Sequence, residues 1–176
     1  MEAMRLRVTL VVGLLLATLP FTAPWSSPAA ARTSTSARHS KSSDLWATVN
    51  LCNTPHHPYT IGVRGSMPGD GHRHDTLYMR FLVQNYDASV HTWQNIGISA
   101  DSGFVLVGSA GATRQAGHSF TFKPTTTAFM LRGLVEFQWH HAGHTLRSVT
   151  LPTTAGHKSL AGDEPKGFNA ATCELP

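Results

Sequence analysis

Apolar and polar residues alternate in short runs along most of the chain. In residues 45–51, Leu45, Ala47, Val49 and Leu51 alternate with Trp46, Thr48 and Asn50. The clearest run is 76–86, where Leu77, Met79, Phe81 and Val83 interleave with Tyr78, Arg80 and Gln84. A period of two puts successive side chains on opposite faces of a β-strand. Shorter runs of the same kind fall at 60–64, 90–98 (with Trp93 and Ile96), 104–107, 119–123 and 168–175. Residues 130–141 and 145–151 face each other across Ala142-Gly143 and predict a hairpin. In that register Trp139 opposes Leu146 and Phe137 opposes Ser148. Val135, Phe137 and Trp139 then face the core, with Glu136 and Gln138 outward.

Turn formers separate these runs: Pro68-Gly69-Asp70-Gly71, Asp101-Ser102-Gly103, residues 108–111, Ala155-Gly156 and Ala161-Gly162-Asp163. No stretch holds a helical period for three turns behind a cap. The pattern predicts an all-β fold, an antiparallel immunoglobulin-like β-sandwich in one domain spanning 44–176. A closed barrel is the alternative. A true immunoglobulin domain has a tryptophan soon after its first cysteine and a bridge between mid-chain strands. Here the next tryptophan after Cys52 is Trp93 and the second cysteine is Cys173, so the likeness is one of layers rather than ancestry.

The residues before the domain read as a secretory leader. Arg5 and Arg7 precede an apolar run over 8–19, short for a membrane span. Ala29-Ala30-Ala31 suits a small-residue cleavage site, giving a signal peptide over 1–31. A retained membrane anchor is the other reading. Residues 32–43, rich in Ser, Thr and Ala, read as a disordered linker. The mature protein is expected to be secreted and extracellular, without a transmembrane segment. That compartment is oxidising, so Cys52 and Cys173 are expected to form a disulfide joining the two ends of the domain.

Several segments look familiar together: ATVNLC from Ala47, IGVRGSMPG from Ile61, LYMRF from Leu77, ADSGF from Ala100 and TTAGHKSLAGDEPKGFNAATC from Thr153. They resemble a group of small secreted β-sandwich proteins of actinobacteria whose function is uncharacterised. The resemblance covers most of 47–173 and implies export, a sandwich and the paired cysteines. It brings no catalytic residue.

The 14 basic and 10 acidic residues give a net charge of +4; losing Arg5, Arg7 and Glu2 with the leader leaves 12 against 9. Arg64, Arg80, Arg114, Arg132 and Arg147 are scattered singly, which argues against a nucleic-acid face. Mild basicity allows weak association with acidic cell-envelope polymers.

Enzyme motifs are absent: no G-x-S-x-G elbow, no H-E-x-x-H, no phosphate-binding glycine loop and no C-x-x-C. Ser66 reads as a turn serine, and no catalytic residue is assigned. Histidine is the unusual component, with 11 residues against 10 acids. His56-His57, His72-Arg73-His74-Asp75 and His140-His141-Ala142-Gly143-His144 form three groups. On a strand, His72 and His74 would share one side. Across a two-residue turn, His141 and His144 would be opposed. Imidazole nitrogen suits Zn²⁺ or Cu²⁺, so His72, His74, His141 and His144 are the candidate ligands, with Asp75 or His57 completing the set if the loops converge. The plain alternative is loop histidines with no ligand, and no cofactor.

Trp46, Trp93, Trp139, Tyr59 and Tyr78 offer ring surfaces for sugars. Trp139 reads as core and Tyr78, on the polar side of its strand, as the surface candidate. Asp163-Glu164 lacks the spacing of a calcium loop and reads as a solvated turn. The sequence therefore predicts a secreted non-enzymatic binding or cell-envelope module. An extracellular metal-binding protein is the alternative, and a secreted hydrolase the third reading.

Overall fold

The computed structural model describes residues 44–157 and 162–176. The leader over 1–31 and the linker over 32–43 lie outside the described residues. Nine strands follow in order: β1 Trp46–Thr54, β2 His57–Met67, β3 Thr76–Asp87, β4 Thr92–Asn95, β5 Asp101–Ser109, β6 Arg114–Thr121, β7 Phe129–His141, β8 His144–Pro152 and β9 Thr172–Leu175. One 3₁₀ turn, Ile98–Ala100, joins β4 to β5.

All strand pairs are antiparallel and form two sheets rather than one closed barrel. One sheet has the order β1-β2-β6. In the other, β3 and β7 are central. β4 and β5 share the remaining side of β3, and β8 and β9 share the remaining side of β7. The alternating side chains of 76–86 behave as the period of two dictates: Leu77, Met79, Phe81 and Val83 are buried between the sheets. Leu131, Val135, Phe137 and Trp139 meet them from β7, and Val49, Ile61 and Val63 from the facing sheet.

Close packing of the layers explains Gly133 in the middle of β7. A Cβ there would lie 2.6 Å from both Val63 and Thr153. A strand glycine at a point of close approach is the usual solution.

The β7–β8 hairpin forms through Ala142 and Gly143, whose φ angles of 46° and 83° are those of a type I′ turn. Val135, Phe137 and Trp139 face the core as expected. The register does not follow a simple two-residue count. His141 pairs with His144 and His140 with Thr145, but Trp139 pairs with Arg147 and Phe137 with Val149. Leu146 is extruded in a bulge, which shifts every pair beyond it by one.

Two further expectations are corrected. Ser66 is no turn residue; it is buried in β2, which runs on past Arg64 to Met67. The last strand is short: Phe168 lies in a turn, its N–H bonded to the Pro165 carbonyl, and only residues from Thr172 join β7.

β1 is buried on both faces, with Thr48 and Asn50 as enclosed as Val49. The chain after β8 returns along the outer edge of β1. Thr154 N–H donates to Ala47 O, Val49 and Ala170 exchange backbone bonds, and Glu164 N–H donates to Asn50 O. The Asn50 side chain donates to Gly162 O at 2.6 Å. Cys52 on β1 is bonded to Cys173 on β9, with Cα atoms 5.5 Å apart.

Candidate metal centre

The loop from β2 to β3, the segment from β5 to β6 and the β7–β8 turn all leave the same end of their strands. The 68–75 loop is held by backbone bonds from both sides. Gly71 N–H donates to Ala110 O, Ala110 N–H donates to Asp75 O at 2.8 Å, and Asp75 N–H donates to His72 O. Pro68 O accepts from the buried Trp139 indole at 2.9 Å. At Gly69 an added Cβ would stand 2.1 Å from Ala110 O, so only glycine permits this approach.

This frame gathers Asp70, His72 and Asp75, whose ligand-capable atoms all lie within 4.8 Å of one another. His72 Nδ1 is 3.4 Å from Asp70 Oδ1. Two ligands at about 2.0–2.1 Å from a tetrahedral Zn²⁺ are themselves about 3.3–3.4 Å apart, so that edge is already formed. Asp70 and His72 are exposed, whereas Asp75 is buried. Asp70 also accepts the His72 backbone N–H at 2.8 Å.

His141 reaches Asp75 from the hairpin. Its Nδ1 lies 2.5 Å from Asp75 Oδ1, the arrangement of a carboxylate held in orientation by an imidazole N–H. That hydrogen bond holds the Asp75 carboxyl below the usual carboxylate range, against the opposing pull of burial. Asp75 is therefore an anion at neutral pH, as a ligand must be. A hollow of about 140 Å³ opens beside the cluster, lined by Gly69, Asp70, Trp139, Leu146 and Arg147.

The structure brings two of the three histidine groups to one end and leaves the third away. His72 and His141 meet through Asp75. His74 and His144 are not in the cluster of ligand atoms. His72 and His74 lie in a turn closed by the Asp75–His72 bond, not on a strand, so strand alternation does not align them. His144 pairs with His141 across the hairpin as expected, on an exposed tip. His57 sits at the opposite end of β2, where it and His56 flank Glu164 at 3.3 and 3.2 Å. It cannot complete the set.

Asp70 is the residue that sequence reasoning missed. It was read only as part of a Pro-Gly-Asp-Gly turn, and the signal was the D-x-H-x-x-D spacing from Asp70 to Asp75. Asp163 and Glu164 have structural partners: Asp163 accepts the Gly167 N–H, and a hydrogen bond from Thr54 is the main cause holding Glu164 below its usual range.

The aromatic candidates divide. Trp139 is core. Trp46 stacks on His157 with ring centroids 4.7 Å apart. Trp93 lies under the Arg132 guanidinium at 4.5 Å. Tyr78 points outward and leans on His140 at 4.6 Å. An open cleft of about 370 Å³ at the other end is lined by Asn85, Ile96, Phe122, Lys123, Thr125 and Phe129, with neither imidazole nor carboxylate.

No helix among the described residues is long and apolar enough to cross a membrane. No family model matches the chain, and neither a curated protein nor a solved structure matches it.

Proposed function

We propose that the protein is an exported, non-enzymatic binding module of immunoglobulin-like form whose ligand is a divalent transition-metal ion, Zn²⁺ or Cu²⁺. Asp70, His72 and Asp75 are the ligands, and His141 orients Asp75. The observation that carries this reading is the convergence of Asp70, His72 and Asp75 within 4.8 Å, with the imidazole of a hairpin some 66 residues further on hydrogen-bonded to Asp75. Mixed imidazole and carboxylate donors suit these ions, and ligating carboxylates are commonly held by hydrogen bonds of this kind.

Export is supported by the apolar leader, by the disulfide and by the resemblance to secreted actinobacterial sandwiches. A non-enzymatic role is supported by the lack of a nucleophile or acid–base motif in the sequence. Three protein ligands leave a coordination position for water or for a donor group on a cell-envelope polymer.

The test is calorimetric titration of tag-free protein with Zn²⁺ and with Cu²⁺ at neutral pH. His72→Ala is expected to weaken binding at least about tenfold, and His141→Ala by about 10–100-fold, the usual effect of losing a supporting partner. Acidification weakens binding because imidazole must be neutral to ligate. Affinity no better than about 1 mM, or affinity unchanged in His72→Ala, overturns the reading.

A further inference from the structure

The cleft at the end of the sandwich away from Asp70 and Asp75 lies where the chain crosses from one sheet to the other. β6 ends at Thr121 in the first sheet and β7 begins at Phe129 in the second. Residues 122–128 therefore bridge the mouth between the layers. Phe122 and Phe129 meet edge to face there, with ring centroids 6.1 Å apart. With Ile96 they pack against the core and stay half-buried. The cleft of about 370 Å³ that they line falls in the range of small-molecule sites, about 300–1,000 Å³.

Two polar side chains interrupt this apolar lining, and neither has a partner among the described residues. Asn85 continues the inward series of Leu77, Met79, Phe81 and Val83 on β3, and it pairs with the buried Leu131. An amide at a core-facing position normally finds a hydrogen-bond partner. The buried Asn50 obeys that rule by donating to Gly162 O. The half-buried Asn85 side chain does not. Lys123, on the rim, forms neither an ion pair nor a hydrogen bond among the described residues. Arg80, on the outer face of β3, is by contrast paired with Asp101 and Glu136. The Asn85 amide and the Lys123 ammonium are both able to donate to an anionic oxygen.

We propose that this cleft binds a free medium-chain fatty carboxylate. Its chain lies against Ile96, Phe122 and Phe129, and its head group accepts from Asn85 and Lys123. The lining decides the charge of the ligand. It holds one cation and no carboxylate, so an amine of the same length meets no counter-charge. A single lysine balances a monoanion rather than a doubly charged phosphate. A small number of polar groups set into an apolar wall is the usual build of such a site. The bound head group supplies the hydrogen bond that Asn85 lacks. This inference is independent of the metal reading and requires no ion.

The test is calorimetric titration of the purified protein at neutral pH with decanoate, hexanoate and decylamine, each below its micelle concentration. Decanoate is expected to bind with a dissociation constant below about 1 mM, and decylamine at least about tenfold more weakly. Hexanoate should also bind at least about tenfold more weakly than decanoate, because it buries fewer methylenes. Lys123→Glu should reverse the preference between decanoate and decylamine. Circular dichroism checks that this variant is folded, and Asn85→Asp makes the same reversal if it is not. His72→Ala, at the opposite end, should leave decanoate binding unchanged. Decanoate affinity weaker than about 1 mM overturns the proposal. So does decylamine or hexanoate bound as tightly as decanoate, a preference indifferent to Lys123→Glu and Asn85→Asp, or decanoate binding lost in His72→Ala.

Discussion

Asp75 has three attachments. Its backbone N–H and C=O join His72 and Ala110, and its carboxylate holds His141. A carboxyl whose folded value is depressed contributes stability that is fully present above its unfolded value. That contribution is lost as pH falls through the folded one. Asp75→Asn should therefore melt lower than the native protein at neutral pH. The gap should narrow as pH falls below about 5, where the unfolded-state carboxyl begins to protonate, and close only once the native carboxyl follows at lower pH. Melting curves of the two proteins from neutral pH downward measure this. A gap independent of pH would mean that the side chain acts through packing alone.

At the scale of the element, the β7–β8 hairpin shows what the sequence makes legible. Each of the nine strands overlaps a run that alternation marked, because burial of one face enforces a period of two, but the bounds moved: β6 begins at Arg114 rather than 119, and β9 only at Thr172. The type of residue at the turn was equally plain. The register was not: nothing local distinguishes Leu146 as the extruded residue. The bulge sits where Trp139, donating to Pro68 O across the sandwich, is paired instead with Arg147, whose guanidinium lies 4.7 Å from the indole centroid. The candidate site was half legible for a similar reason. The histidine groups were visible, but their meeting depends on β2, β3 and β7 ending together, and those pairings are remote in sequence. Alternation misled at His72 and His74 because it was extended over the four residues 72–75, which form a turn before β3 begins at Thr76. Trp139→Ala should cost about 3–5 kcal/mol in denaturant unfolding, since it opens a cavity and leaves Pro68 O unpaired. A cost under about 1 kcal/mol would place Trp139 outside the energetic core.

At the scale of the molecule, the two sheets are tied by one bond between residues 121 apart. Chain-entropy reasoning gives such a closure an upper value of about 5 kcal/mol, against a typical total of about 5–15 kcal/mol for a domain. Reduction should lower the melting temperature sharply. The paired variant Cys52→Ser with Cys173→Ser should match the reduced protein. A melt unchanged after verified reduction would show that the strands alone fix the ends.

The position of that bond also decides how the molecule responds to tension. A pull applied at the two ends of the domain enters at Trp46 and leaves through Leu175, and it crosses from β1 to β9 at Cys52 and Cys173. The core strands β2 to β8, and with them the Asp70–Asp75 loop, hang outside the path of the force. Stretching a single oxidised molecule should release only the short segments outside the bond. The reduced molecule should give up about 400 Å more, the extended length of the enclosed chain at roughly 3.3–3.6 Å per residue. A protein tethered at one end to a surface and loaded at the other would thus keep the Asp70–Asp75 loop folded while under strain.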